Sequence, residues 1–258
     1  MPGRMVGRAA LITGGGGGIG EATGRLFAEE GAAVALVDTD AMAVEAAAAG
    51  IARAVPGARV VALTADLTDE AGAARVVGET IARLGALHTV VNVAGVRVYT
   101  PLAAAEAKDW AFIIGVNVLA TAYCCKAALP SLRAAGRGTI VNVSSVYGVM
   151  GRAGMGQYDT TKAAVLGLTR ALAVEEAPHG IRVNAVCPGG TITPYHIRRA
   201  ASQGVSEAEL RAQRKDVNLL GRWAEPREVA FAILFLACDE SSYVTGATLM
   251  VDAGKSIL

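Results

Sequence analysis

Histidine, paired cysteine and long apolar runs are what this sequence most lacks, and each shortage removes a class of chemistry. Only three histidines occur, His88, His179 and His196, and none stands at metal-ligand spacing from a Cys or Glu. Zinc-dependent catalysis is therefore not expected, nor any other metal site. Cys124, Cys125, Cys187 and Cys238 form no C-x-x-C pair, so neither a zinc knuckle nor a disulfide frame is expected and the cytoplasm is the expected compartment. The richest apolar run, residues 229–238, falls far short of the roughly 20 residues of a spanning helix. The apolar stretch at residues 9–12 is too short for an export signal. No membrane partner is expected. An excess of one charge is also missing: 24 Lys+Arg against 23 Asp+Glu leave a net +1, which offers no electrostatic footprint for nucleic acid.

What is there is apolar and glycine-rich. Apolar residues make up 53% of 258 and charged ones 18%, which argues against disorder. A chain of this length buries roughly three-quarters of its unfolded surface and needs no staple. Short apolar runs at residues 9–12, 33–37, 60–63, 88–93, 139–143, 181–186 and 248–251 alternate with longer stretches that read as helices, such as residues 110–129 and 157–176. Runs buried on both faces and alternating with helices predict an α/β fold with a parallel sheet covered on each side. No linker divides the chain, so one domain over residues 1–258 is expected. Residues 191–220 break the pattern. They are polar and follow a strand end, where open α/β sheets bind ligands, which makes them a candidate substrate lid.

Thr13 is followed by five consecutive glycines, then Ile19 and Gly20, between the first strand and the first helix. Glycine permits a tight turn and lets backbone N–H groups approach a pyrophosphate, and the helix N-terminus favours that anion. Asp38 ends the second strand, 18 residues after Gly20. An acidic side chain there accepts hydrogen bonds from adenosine ribose hydroxyls and repels a 2′-phosphate, which favours NAD over NADP. Capping of the next helix is the competing role, and Thr39 and Asp40 can fill it equally well. Asp66 follows the third run as a cofactor contact or a turn residue. Asn92-Val93-Ala94-Gly95 places small residues at the fourth strand's end, leaving room for a cofactor.

Tyr158 and Lys162 lie four apart in a helical stretch and share a face. A free phenol, with a pKa near 10, is too weak a base at neutral pH, and a nearby ammonium lowers that value. Tyr158 can then take a proton from an alcohol, or return one to a carbonyl. Ser145 lies 13 residues before Tyr158, just past a strand run, where a hydroxyl can hold the substrate oxygen. Spacing alone does not choose between Ser144 and Ser145. Asn117 sits in an apolar helical stretch, and a buried amide needs partners.

Together these residues resemble the short-chain dehydrogenase/reductase family over nearly the whole chain. Thr13-Gly14-x-x-x-Gly18-Ile19-Gly20 is similar to its cofactor turn, and Asp66-Leu67 to its adenine contact. Asn117, Ser145, Tyr158 and Lys162 match its catalytic tetrad in order and spacing, which selects Ser145. Pro188-Gly189-x-x-x-Thr193 resembles the segment beside the nicotinamide carboxamide, with Thr191 as a contact. The family's Asn-Asn-Ala-Gly reads Asn92-Val93-Ala94-Gly95 here, and its closing Asp-Gly-Gly reads Asp252-Ala253-Gly254.

The resemblance implies a doubly wound Rossmann sheet of seven parallel strands and a homotetramer. It implies Lys162 on the nicotinamide ribose, Ser145 orienting the substrate oxygen, and Asn117 holding a water in a proton relay. Asn92, Ala94 and Gly95 are counted with the cofactor contacts. The expected function is hydride transfer between NAD and a secondary alcohol or ketone. An NADPH-dependent ketoreductase, such as a 3-oxoacyl-carrier reductase, and a silent NAD-binding protein are the rivals. Around the substrate, Tyr99, Tyr147, Met150, Met155 and Tyr195 offer apolar surface, while Arg97, Arg152 and Arg198 are candidates to meet an anionic group.

Overall fold

Alternation within each strand sorts side chains to two faces of one sheet. In the computed structural model, which describes residues 3–213 and 217–258, the strands are β1 (Ala9–Thr13), β2 (Ala33–Asp38), β3 (Val60–Thr64), β4 (Thr89–Asn92), β5 (Gly138–Val143), β6 (Ile181–Pro188) and β7 (Thr248–Val251). They pair in parallel in the order β3-β2-β1-β4-β5-β6-β7. Each matches a predicted run, extended or trimmed by a residue or two.

Successive residues of a strand point to opposite faces. Ala10 and Ile12 of β1 therefore join Leu36, Val91, Val141 and Val186 in one core, and Leu11 joins Val37, Val90, Ile140 and Val183 in the other. The first core is covered by α1 (Gly18–Glu29), α2 (Ala41–Ala54) and α9 (Pro226–Ala237). The second is covered by α3 (Glu70–Leu84), α5 (Ala120–Ala134) and α6 (Gly156–Glu176). Capping sets the helix starts. Asp40 accepts from the Ala43 N–H to begin α2, and Asp69 accepts from Ala71 and Gly72 to begin α3. Asp38 is thereby released from the capping role.

The stretch expected as a helix over residues 110–129 is longer than that. α4 (Ala107–Ile114) runs through a π-turn (Gly115–Leu119) into α5 without a break. The combined helix is long and apolar enough, by length and composition alone, to cross a membrane, although the richest uninterrupted apolar run remains residues 229–238. Its inward side packs on β4, β5 and α3, and Cys124, Cys125, Ala128 and Leu132 are core residues. The other long apolar helix, α9, is core on its inner face as well.

Strand order reverses between β1 and β4, which opens a crevice beyond their carboxyl ends. Over that crevice stands the segment expected as a lid. It contains α7 (Pro194–Ser202) and α8 (Glu207–Ala212), packed on a small core of Ile192, Ala200, Leu210 and Trp223. The Trp223 indole N–H fixes α8 by donating to the Leu210 carbonyl at 2.7 Å. Positions 214–216 of the expected lid lie outside the described residues.

Candidate active site

The glycine tract forms a turn that few side chains would survive. Gly14 and Gly18 have φ of +65° and +56°, in the left-handed region that glycine alone adopts freely. A Cβ on Gly20 would stand 2.0 Å from the Gly14 carbonyl oxygen. Gly20 therefore serves by close packing and does not line the cleft, whereas Gly14, Gly18 and Ile19 do. Gly16 matters too, although the spacing argument passes over it. Its N–H donates to Asp38 Oδ2 at 3.0 Å, and a Cβ there would stand 2.9 Å from the same oxygen. Thr13 closes the turn's other side by accepting from the N–H groups of Val93 and Ala94, both at 3.1 Å.

From this turn a cleft of about 900 Å³ runs across the sheet's carboxyl edge. Asp38, Asp66 and Leu67 line one end, Ala94, Gly95, Pro188, Gly189, Thr191 and Thr193 the middle, and Ser145, Tyr158 and Lys162 the other. The volume lies in the range of sites that bind sizeable ligands, and the glycine cradle leaves backbone N–H groups and the α1 N-terminus facing it. The residues present fit a dinucleotide. Asp66 also makes the turn expected of it: Oδ1 accepts from the Thr68 N–H and hydroxyl, and these bonds hold its carboxyl below the usual range.

Asn92 faces away from the cleft. Its side chain leaves β4 toward the core, donating to Asn142 Oδ1 at 2.8 Å and to Cys125 Sγ at 3.3 Å. Asn92 does not line the cleft, whereas Val93, Ala94 and Gly95 do. A strand-end residue faces whichever side the pleat dictates, and the motif does not reveal which.

The four tetrad residues converge. Ser145 Oγ accepts from the Tyr147 N–H at 3.2 Å, which leaves its own proton to donate. Ser144 is spent structurally: its hydroxyl donates to the Lys162 carbonyl at 2.7 Å and ties β5 to α6. Geometry thus separates the two serines that spacing alone does not. Lys162 Nζ is buried and donates to the Val143 carbonyl at 2.9 Å.

Burial by itself would raise the Tyr158 pKa. Lys162, then Arg97, the Ser145 hydroxyl and Arg152 outweigh it, and the net shift is downward. Burial also pulls the Lys162 ammonium down, against the attraction of the phenol. By contrast, burial pushes the Cys124 and Cys125 thiols up to about 12, so neither is a nucleophile at neutral pH.

Asn117 sits in the π-turn, and such turns recur at functional sites. Its Oδ1 accepts from the Val96 N–H at 2.8 Å, while Nδ2 donates to the Val96 carbonyl and to Thr161 Oγ1. The carboxamide therefore clamps the loop after β4 to α6. A Cβ on Gly95 would stand 3.2 Å from Lys162 Nζ and 3.3 Å from Asn117 Oδ1, so a side chain there would press on both. Thr161 is a further positioning residue that motif reading passes over, since its partners come from residues 117 and 158.

Comparison with known proteins agrees with this geometry. A family model described as enoyl-(acyl carrier protein) reductase matches residues 15–256. The chain is 42% identical to cis-4-hydroxycyclohexanecarboxylate dehydrogenase of Sinomonas cyclohexanicum, over 96% of both chains. It is 36% identical to meso-2,3-butanediol dehydrogenase of Serratia marcescens, over 98% of this chain and 96% of that one. The crystal structure of levodione reductase superposes with a TM-score of 0.91 at 32% identity, covering 98% of this chain and 99% of the other. The chain belongs to the short-chain dehydrogenase/reductase family. It is an oxidoreductase acting on CH–OH groups.

Proposed function

We propose that this protein is an NAD-dependent dehydrogenase that interconverts a small secondary alcohol and its ketone, with Tyr158 as general acid/base. The observation that carries the reading is Tyr158 with the Lys162 ammonium 5.8 Å from its ring and Ser145 beside it, at the far end of a cleft that begins at Asp38. Gly14, Gly18 and Ile19 would hold the pyrophosphate, Asp66 and Leu67 the adenine. Ala94, Gly95, Pro188, Gly189, Thr191 and Thr193 would flank the nicotinamide half. Asp38 would accept the ribose hydroxyls, and its carboxylate disfavours a 2′-phosphate. The bound nicotinamide supplies the hydride acceptor or donor.

The chain's own residues manage the proton. Ser145 donates a hydrogen bond to the substrate oxygen and keeps it beside Tyr158. The phenolate form of Tyr158 takes the alcohol's proton in oxidation, and the phenol returns it in reduction. Lys162 stabilises the phenolate and reaches the nicotinamide ribose. Asn117 fixes Val96 and α6 around this centre; with its carboxamide engaged, a relay water would rest on its backbone carbonyl.

The whole chain acts as one catalytic domain with residues 191–220 as its lid. Exposed apolar side chains on its helices, such as Leu119 and Val174, support assembly as a homotetramer. Four unpaired, buried cysteines support a reducing compartment, the cytoplasm.

The test is turnover of a panel of secondary alcohols with NAD and with NADP, read by nicotinamide absorbance. Preference for NAD is expected. A strong preference for NADPH would move the assignment to a biosynthetic ketoreductase. Binding of NAD with no turnover of any alcohol or ketone would leave only a nucleotide-binding protein.

A further inference from the structure

Charge is distributed unevenly along the cleft. The acidic side chains that line it, Asp38, Asp40 and Asp66, all stand at the end assigned to adenosine. At the reacting end the charged lining residues beside Tyr158 are Arg97 and Lys162. Two guanidiniums lie close to the Tyr158 ring, Arg152 at 5.2 Å and Arg97 at 5.5 Å from its centre. Their surroundings differ. Arg152 has its own carboxylate, Asp159, at 3.2 Å, and stacks on Tyr147 at 3.7 Å. Among the described residues no carboxylate lies within ion-pair distance of Arg97, and the groups that favour its charge are tyrosines.

Arg97 is nonetheless held in place. Its Nη1 donates to His196 Nε2 at 2.8 Å, and the other ring nitrogen of His196 bonds Thr193 Oγ1 at 2.8 Å. A guanidinium can only donate, so that imidazole nitrogen must accept. This bond and a second one to the Tyr99 hydroxyl orient Arg97 without neutralising it, and two bonds leave part of its five-donor fork for a ligand. Arg97 is half-buried; partly removing a cation from water with no anion beside it is costly, and a fixed planar fork of donors matches a carboxylate.

We propose that Arg97 is the anion subsite of the substrate pocket, and that the substrate is a small hydroxy acid or keto acid whose carboxylate binds there. Arg97 stands beside the Tyr158 ring, so the carboxylate and the reacting carbinol belong to one compact molecule, one ring or a short carbon chain across. This inference rests on the dehydrogenase reading of the site, and its test is chosen to stand apart from turnover.

The enzyme–NADH complex is titrated with cyclohexanecarboxylate and with its neutral counterpart cyclohexanecarboxamide, and each Kd is read from nicotinamide fluorescence. In the wild type the carboxylate should bind about tenfold or more tightly than the amide. In Arg97→Met the ratio should fall to about one, and in Arg97→Lys it should be intermediate, since Lys keeps the charge and loses the fork. Equal affinities in the wild type, a tighter amide, or no detectable carboxylate binding overturns the proposal. A parallel loss of NADH affinity in both Arg97 variants, with the ratio unchanged, assigns Arg97 to the cofactor and overturns it as well. The wild-type ratio judges the subsite even if Arg97→Met does not fold. Failure to oxidise any alcohol, charged or neutral, would instead count against the dehydrogenase reading.

Discussion

Lys162 Nζ lies 5.8 Å from the centre of the Tyr158 ring, and a 2.9 Å hydrogen bond to the Val143 carbonyl at the end of β5 holds it there. The ammonium is thus fixed by the sheet and not by the helix alone. Oxidation requires phenolate, so kcat/KM for the alcohol should rise with pH through an apparent pKa below 10, while ketone reduction should fall over the same interval. Lys162→Met removes the strongest of the charges that depress this pKa. The profile should move to higher pH, and activity at neutral pH should drop by roughly 10²–10⁴-fold. A pH–rate profile unchanged by this substitution would show that the ammonium does not tune the phenol.

The two adjacent serines should separate cleanly. Ser145→Ala removes the hydroxyl beside Tyr158 and should lower kcat by roughly tenfold or more with little change in Tm. Ser144→Ala breaks the bond to the Lys162 carbonyl and should cost about 1 kcal/mol of stability. Thermal melts and steady-state rates on both variants check this. The assignment fails if Ser144→Ala is the kinetically damaged variant while Ser145→Ala keeps its rate.

Much of this arrangement is legible in the sequence because parallel strands are buried on both faces and stand out as short apolar runs. The glycine turn, Asp38 and the Tyr158–Lys162 pair each sit within short stretches of sequence, so together they mark the cleft even though no one spacing does. What escapes is set by side-chain direction or by distant pairing. Asn92 ends a strand as the motif requires, yet the pleat sends its amide into the core against Asn142. The Arg97–His196 contact joins positions 99 apart, and no periodicity reports it. The helix read over residues 110–129 extends to 107–134, and the π-turn that carries Asn117 inside it leaves no mark in the periodicity.

Cofactor choice should hinge on Asp38, whose Oδ2 accepts from the Gly16 N–H and whose Oδ1 accepts from the Asp40 N–H at 3.3 Å. These bonds hold the carboxylate at the strand end. Asp38→Asn keeps a side chain of the same shape and removes the charge that repels a 2′-phosphate. The ratio of kcat/KM for NAD over NADP should fall by about 10–100-fold, a change of about 1.4–3 kcal/mol. An unchanged ratio would place the discrimination elsewhere in the cleft.

Stability should depend on a pair far from the chemistry. Glu176, almost fully buried at the end of α6, accepts from Arg133 Nε at 2.8 Å and from Nη2 at 2.5 Å. These bonds hold its carboxyl below the usual range. A carboxyl with a lower pKa in the folded state stabilises fully above its unfolded value of about 4.5, and that contribution disappears as pH falls through the lower folded value. Arg133→Met should therefore destabilise the protein at pH 7, the half-exposed arginine limiting the effect, and progressively less below about pH 4. Glu176→Gln should cost less than Arg133→Met, because it leaves no buried charge without a partner. Urea denaturation of the three proteins at pH 7 and pH 4 measures both differences. A penalty for Arg133→Met that grows as the pH falls would show that the pair does not stabilise the fold through the ionised Glu176 carboxylate.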